Sequence, residues 1–206
     1  MAQGAETQKV SPTSTRTQAR VIEAVVEVVA RHGISGTTFA SVSAVAGVSQ
    51  GVLVFHFKNK ERLLTETLSR MLQEYRQAWR SAIEGRDPLE RILQLIRVDF
   101  SPEICSQTKL ALWFSFWGEA GAQPLYNQIC VEAEIARNDA MLSSCRDLVA
   151  VSGGPDPELL TQSIDAFTDG LWLQMHMQGH PLTREEALEA AFAHLRLLIP
   201  NHADRF

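Results

Sequence analysis

The segment from Thr37 to Lys60, TTFASVSAVAGVSQGVLVFHFKNK, constrains the fold of this chain more than any other. Thr38 is placed to cap a short helix whose Phe39, Val42 and Val45 face inward. Gly47 follows where a helix ends in a positive-φ conformation that residues with a Cβ resist. Val48 then fills the corner, and Ser49 caps a second short helix beginning at Gln50. Two short helices on a tight glycine turn, behind a longer amphipathic helix, make a helix-turn-helix whose second helix suits a major groove. A plain corner in a helical bundle has the same outline. Against it stand the small, polar start of the second helix (Ser49, Gln50, Gly51), which lets backbone approach a phosphate, and the pair Lys58 and Lys60 with no acid before Glu61. An ordinary solvated face alternates its charges.

The remaining chain repeats apolar residues at helical intervals, and no stretch alternates as a strand does, so an all-α fold is expected. Ile22, Val25, Val26 and Val29 form one stripe, which Gly33 ends. Asn59 to Glu84 reads as one long helix with Leu64, Leu68, Leu72, Tyr75 and Trp79 on one side. Asp87-Pro88 begins the next helix as N-cap and first residue, running to Phe100, and Ser101-Pro102 is expected to restart a helix through Glu119. Leu125 to Val149, Asp156 to Gln178 and a last helix after the capping box at Thr183 complete the set, with Ser152-Gly153-Gly154-Pro155 as the clearest loop. The implied organisation is a flexible Ser/Thr/Gln-rich tail (1–15), a three-helix helix-turn-helix domain (16–62) and a C-terminal helical bundle (63–206).

Charge is unevenly placed along a chain of net −5: residues 1–70 hold 8 Lys/Arg against 5 Asp/Glu, and residues 71–206 hold 11 against 19. The basic end comes first, as a localised anionic partner requires. No run approaches the roughly 18 apolar residues of a membrane span, and the polar N-terminus lacks a signal-peptide pattern, so no membrane association and a cytoplasmic location are expected. Cys105, Cys130 and Cys145 are widely spaced without a C-x-x-C, so free thiols are expected and no metal or other cofactor.

TTFASVSAVAGVSQGVLVFHFKNKERLL resembles the DNA-binding signature of the TetR family of transcriptional repressors over about Val21 to Leu72. The resemblance implies an all-helical homodimer with three N-terminal helices on a double-stranded operator and a C-terminal bundle for effector binding and dimerisation. It implies that Thr38 and Ser49 bond the phosphate backbone and that Gln50 reaches a base edge or phosphate. Gly51 and Val52 belong to the same DNA-facing start, Phe55 would stack on a sugar or touch a thymine methyl, and His56 and Lys60 would meet phosphates. Phe57 is better read as core. Val54 departs from the pattern, since the family commonly has Tyr there.

WFSFWGEAGAQPLYNQ (113–128) and TDGLWLQMHMQGHPLTREEA (168–187) resemble the BetI branch of that family, whose members respond to choline. The implied effector is choline or a related quaternary ammonium; a different small amine or apolar ligand is the alternative, and an all-helical enzyme a further one. No P-loop, G-x-G-x-x-G, G-x-S-x-G or H-E-x-x-H accompanies the helices, so the protein is read as not an enzyme. Trp113 and Trp117, four apart on one helix face, join Trp172 as candidate walls, since aromatic faces attract quaternary ammonium groups. Phe116, Tyr126, Asp169 and His176 complete the expected ligand set, with Asp165 and Glu134 as other possible counter-charges. His176 and His180 are four apart, but no third ligand accompanies them, and metal is not expected. Leu159, Leu160, Ile164, Phe167, Leu171, Leu188, Ala191, Phe192 and Leu195 on the last two helices would form a symmetric four-helix interface between copies.

Overall fold

The computed structural model describes residues 12–177 and 182–205. Every regular element among them is helical: α1 (Pro12–Gly36), α2 (Phe39–Ala46), α3 (Gln50–Phe57), α4 (Lys60–Ile83), α5 (Pro88–Asp99), α6 (Gln107–Ala120), α7 (Pro124–Ser152), α8 (Pro157–His176), α9 (Arg184–Leu198) and a short 3-10 helix (Pro200–Arg205). They form two compact units, divided within α4 between Thr67 and Leu68.

In the first unit α1 packs on α2, and α2 on α3. The helix begins at Pro12, so Pro12 to Thr15 are helical rather than part of a tail, while the earlier residues of that expected tail lie outside the described region. The chain breaks at Gly33, where φ is 69° and ψ 175°, and the element resumes only to Gly36. The buried stripe of α1 is Val21, Ala24, Val25, Val28 and Val29, turned by about one residue from the expected set. Ile22 and Val26 are half-buried at its flank. A run this rich in valine and alanine offers two adjacent apolar stripes, and packing against α2 selects between them. On α2, Val42 and Ala46 are buried, whereas Val45 is 43% exposed and does not face inward as expected. Leu53, Phe57, Leu63 and Leu64 close the core, each with at most 1% exposed.

The second unit is a bundle in which α7 packs against α5, α6 and α8, and α8 against α6 and α9. Asp87 caps α5 by accepting from Glu90 N at 3.0 Å, with Pro88 in the first turn. The helix expected from Ser101-Pro102 starts later. Ile104 N and Cys105 N both donate to Ser101 O (3.1 and 2.8 Å), closing a turn, and Ser106 Oγ caps α6 by accepting from Lys109 N. That turn buries Ile104 and Cys105, a tertiary gain that outweighs an earlier helix start. Gly153 (φ 68°) and Gly154 (φ 146°) supply the left-handed backbone of the α7–α8 loop. Thr183 and Glu186 form the reciprocal capping box of α9.

Candidate functional site

Residues 37–60 build a compact tip. Thr38 Oγ1 accepts from Ser41 N, and Ser41 Oγ accepts from Thr38 N, each at 3.0 Å, so both ends of the box are used to start α2. Gly47 takes φ 63° and ψ 37°, and α2 and α3 meet at a bend of 110°. A Cβ at Gly47 would lie 3.3 Å from Arg20 Nη2. That guanidinium, reaching from α1, donates to the carbonyls of Ala46 and Gly47 and latches the turn. Nothing local in the sequence marks Arg20 for this part, which is 26 residues from its partner.

Ser49 precedes α3 in extended conformation, and its side chain makes no cap bond. Thr38, Ser49, Gln50, Gly51 and Phe55 are exposed, and Val52, His56 and Lys60 half-buried. Phe55 is 71% exposed, an outlay of apolar surface that a folded chain does not need for its own stability. Lys58, held at φ 63°, donates from Nζ to Phe55 O at 2.9 Å and lies 5.6 Å from the Phe55 ring centroid. The Gln18 side-chain amide faces His56 Nδ1 at 3.4 Å, and Lys60 Nζ donates to Ser35 O at 3.0 Å. Lys60 therefore ties the α1–α2 corner with one of its three N–H groups. Phe57 is core. Asn59 Oδ1 accepts from Arg62 N, the start signal of α4. Arg31 and Arg62 are paired with Glu27 and Glu66, whereas no ion pair involves Lys58 or Lys60 among the described residues.

The second unit contains a half-open cavity of about 620 Å³, lined from α4, α5, α6, α7 and α8. Three indoles form one wall: Trp113 and Trp117 lie 6.5 Å apart between ring centroids, Trp113 and Trp172 6.3 Å, and Trp117 and Trp172 6.2 Å with planes 18° apart. Tyr75 sits edge-on to Trp113 at 6.4 Å. Trp172 Nε1 donates to Asp99 O at 3.1 Å, which fixes the ring.

A buried ionic network lies beside the indoles. Arg137 donates from Nη2 to Asp99 Oδ2, from Nη1 to Asp165 Oδ1 and from Nε to the Tyr75 hydroxyl, which itself donates to Asp99 Oδ1. Asn138 Nδ2 donates to Asp165 Oδ2 at 3.0 Å. Burial opposes the Arg137 charge, but Asp99, Tyr75 and Asp165 hold the guanidinium protonated. Burial likewise raises the Tyr75 hydroxyl, and the Asp99 carboxylate beside it adds to the rise. Arg137 is the one Lys or Arg among the lining residues, against Asp99, Glu134, Asp139, Glu158, Asp165 and Asp169. Glu134 and Asp169 are exposed to solvent at the cavity. The walls around them still desolvate them in part, and this, followed by repulsion from Glu134 and Asp165, lifts the Asp169 carboxyl to about 6, while partial desolvation and repulsion from Asp165 raise Glu134.

The structure brings four of the seven expected ligand residues to this cavity: Trp113, Trp117, Asp169 and Trp172. Phe116 and Tyr126 are not among its lining; they pack on each other edge-to-face at 5.1 Å, both buried, as core. His176 is also off the cavity, stacked on Phe114 at 4.8 Å: it shares the Trp172 face but lies one turn further along, at the last residue of α8. His180 lies outside the described residues, and no metal-binding group of three acidic, His or Cys side chains occurs among those described. The cysteines are free and buried, and burial raises the cavity-lining Cys130 thiol to about 11. Tyr75, Asp99 and Arg137 were not legible beforehand, since they come from three helices and share no motif. No single helix among those described is long and apolar enough to cross a membrane.

A three-helix unit with an exposed second helix-turn-helix helix, followed by a helical bundle around a cavity, is the architecture of a class of all-α transcriptional regulators. Residues 21–67 match the bacterial regulatory proteins of the tetR family, and residues 88–200 match the C-terminal part of BetI-type transcriptional repressors. The chain belongs to the TetR family and is BetI-like. It is 28% identical over 203 residues to the HTH-type transcriptional regulator BetI of Paraburkholderia phymatum, covering 90% of this chain and 94% of that one. The BetI regulator of Paraburkholderia xenovorans is 25% identical over 184 residues, 88% and 93% of the two chains. Among solved structures, one described as a transcriptional regulator of Pseudomonas aeruginosa PAO1 superposes with a TM-score of 0.77 at 24% identity over all of both chains. Another, described as a regulator of Saccharomonospora viridis in complex with choline, does so at 0.78 and 18% identity, covering 88% of this chain and 96% of that one. At such identities the likeness is one of fold.

Proposed function

We propose that the protein is a cytoplasmic repressor that binds a pseudo-palindromic operator as a homodimer and releases it when choline or a related quaternary ammonium fills the cavity. The observation that carries the effector class is the cavity itself: three indoles beside an excess of carboxylates, with its one guanidinium already paired to Asp99 and Asp165. Each desolvated indole face adds about 0.5–2 kcal/mol for such a cation. The choline named with the Saccharomonospora viridis structure supports the same class.

The DNA half of the reading rests on the α3 tip. Thr38, Ser49, Gln50, Gly51, Val52, Phe55, His56 and Lys60 are the residues assigned to the operator, with the backbone amides at the start of α3 oriented toward a phosphate. One recognition helix of eight residues reads few bases, so two copies about 34–36 Å apart are required. Leu160, Ile164, Leu171, Ala191 and Leu195 of the expected interface are instead buried within one copy, and the exposed apolar side chains left on the last two helices for a symmetric interface are Leu159, Leu173 and Leu197.

The test is fluorescence anisotropy of the purified protein on DNA flanking its own gene, with and without choline. Sequence-specific binding that choline weakens is the expected result, with a coupling of about 1–3 kcal/mol, or roughly 5- to 150-fold. No sequence-specific binding at modest salt refutes the operator reading. Binding that no quaternary ammonium affects refutes the effector reading alone.

A further inference from the structure

The cavity's carboxylates divide into two sets. Asp99 and Asp165 are held by Arg137, and the second oxygen of Asp165 accepts from Asn138. Glu158 pairs with Arg146. Glu134 and Asp139 on α7 and Asp169 on α8 line the same cavity and enter no ion pair among the described residues, and of these Glu134 and Asp169 act on each other. Arg137 is already committed to this network: Nη1 donates to Asp165, Nη2 to Asp99 and Nε to the Tyr75 hydroxyl, so its charge is balanced by two carboxylates before any ligand enters. A ligand carboxylate entering here would meet carboxylates that no cation pairs, whereas a cation without one meets the same charges as partners.

We propose that Glu134 and Asp169 select a monocation that carries no carboxylate of its own, and that protons compete with that cation for the pair. This rests on the reading of the cavity as a quaternary-ammonium site. The groups acting on Asp169 are Glu134 and Arg137 from α7, Asp165 from its own helix and Asp99 from α5; Asp139, also in the lining, acts on neither member of the pair. Repulsion within this set adds to desolvation in raising both carboxyls, so Asp169 takes up a proton in mildly acid solution and Glu134 does so above its ordinary range. With Asp169 titrating near 6, it is almost wholly ionised at pH 8 and about one-tenth ionised at pH 5. Affinity for a cation therefore falls about tenfold between those pH values, while a neutral ligand of the same shape is indifferent to them.

The experiment is a titration of tryptophan fluorescence of the full-length protein at pH 5 and pH 8 with choline, its carboxylated analogue trimethylglycine, and its neutral isostere 3,3-dimethylbutan-1-ol. Wild type is compared with Asp169→Asn and Glu134→Gln, each checked for native circular dichroism. Choline should bind about tenfold tighter at pH 8, trimethylglycine at least about tenfold more weakly than choline, and the isostere equally at both pH values. Asp169→Asn should weaken choline about tenfold at pH 8 and flatten its pH dependence, and Glu134→Gln should weaken it in the same direction. Trimethylglycine binding as tightly as choline, or both variants keeping the wild-type affinity and pH profile, overturns the proposal while leaving the cavity a quaternary-ammonium site. Absence of binding by every quaternary ammonium at both pH values overturns the proposal and the reading beneath it together.

Discussion

Replacing Arg137 with Met tests whether the buried network holds the second unit together. The guanidinium side chain is 10% exposed and Asp99 6%, so the variant leaves a buried carboxylate with only the Tyr75 hydroxyl and leaves Asp165 with Asn138. Methionine fills most of the volume, so the loss is electrostatic rather than a cavity. Breaking a buried pair by removing one partner costs about 3–5 kcal/mol, a large share of the roughly 5–15 kcal/mol that holds a domain folded. With a urea slope of about 2 kcal/mol/M, the midpoint should fall on the order of 2 M. The deficit should also depend on pH. Burial already raises the Asp99 carboxyl, and loss of Arg137 removes the charge that most opposes the rise. A carboxyl raised on folding binds more protons folded than unfolded, so its contribution to stability declines as pH rises through that window. The variant should accordingly be closer to wild type at pH 5 than at pH 8, and adding Asp99→Asn should recover a good part of the loss at pH 8. Urea melts of wild type, the single and the double variant at both pH values read this directly. A loss under about 1 kcal/mol at pH 8 with an unchanged slope would refute a buried, mutually dependent network.

Three other outcomes follow from the geometry. Gly47→Ala should destabilise the first unit by about 1–2 kcal/mol, from its φ of 63° and the 3.3 Å approach to Arg20 Nη2, and should cost operator affinity more than effector affinity; thermal melts and anisotropy separate the two. Phe55→Ala, at a side chain 71% exposed, should leave stability within about 0.5 kcal/mol while weakening operator binding, and an unchanged operator Kd would remove Phe55 from the interface. Asp169→Asn should flatten part of the stability profile: the carboxyl rises from 3.8 to about 6 on folding, so wild type gains protons between those values and loses stability relative to the variant as pH climbs through them, a trend visible in melts from pH 4 to 7.

The parts of the fold legible in advance are those governed by interactions within one helical turn. Thr38, Asp87 and Thr183 each accept from a backbone N–H three residues on, so their spacing alone places the starts of α2, α5 and α9. Gly47 is similar, because the penalty it escapes belongs to its own φ. The closeness of two of the three indoles has the same local origin: Trp113 and Trp117 are four apart on one helix, and only Trp172 comes from elsewhere. Where two faces of a helix are equally apolar, as on α1, or where a turn trades helix for burial, as at Ile104 and Cys105, periodicity loses its power to decide.

The sequence by itself determined an all-helical chain, the capped starts of α2, α5 and α9, the glycine corner and the family likeness, since each follows from residues near one another along the backbone. Tertiary structure alone decided the electrostatics of the cavity. Tyr75 and Asp99 are 24 residues apart, Arg137 is 38 from Asp99 and 28 from Asp165, and Trp172 is 73 from the carbonyl it holds. It likewise sent Phe116, Tyr126 and His176 away from the cavity while leaving Glu134 and Asp169 in it without a cation. Charges and aromatic rings act through distance in space, and only packing brings such widely separated positions within reach of each other.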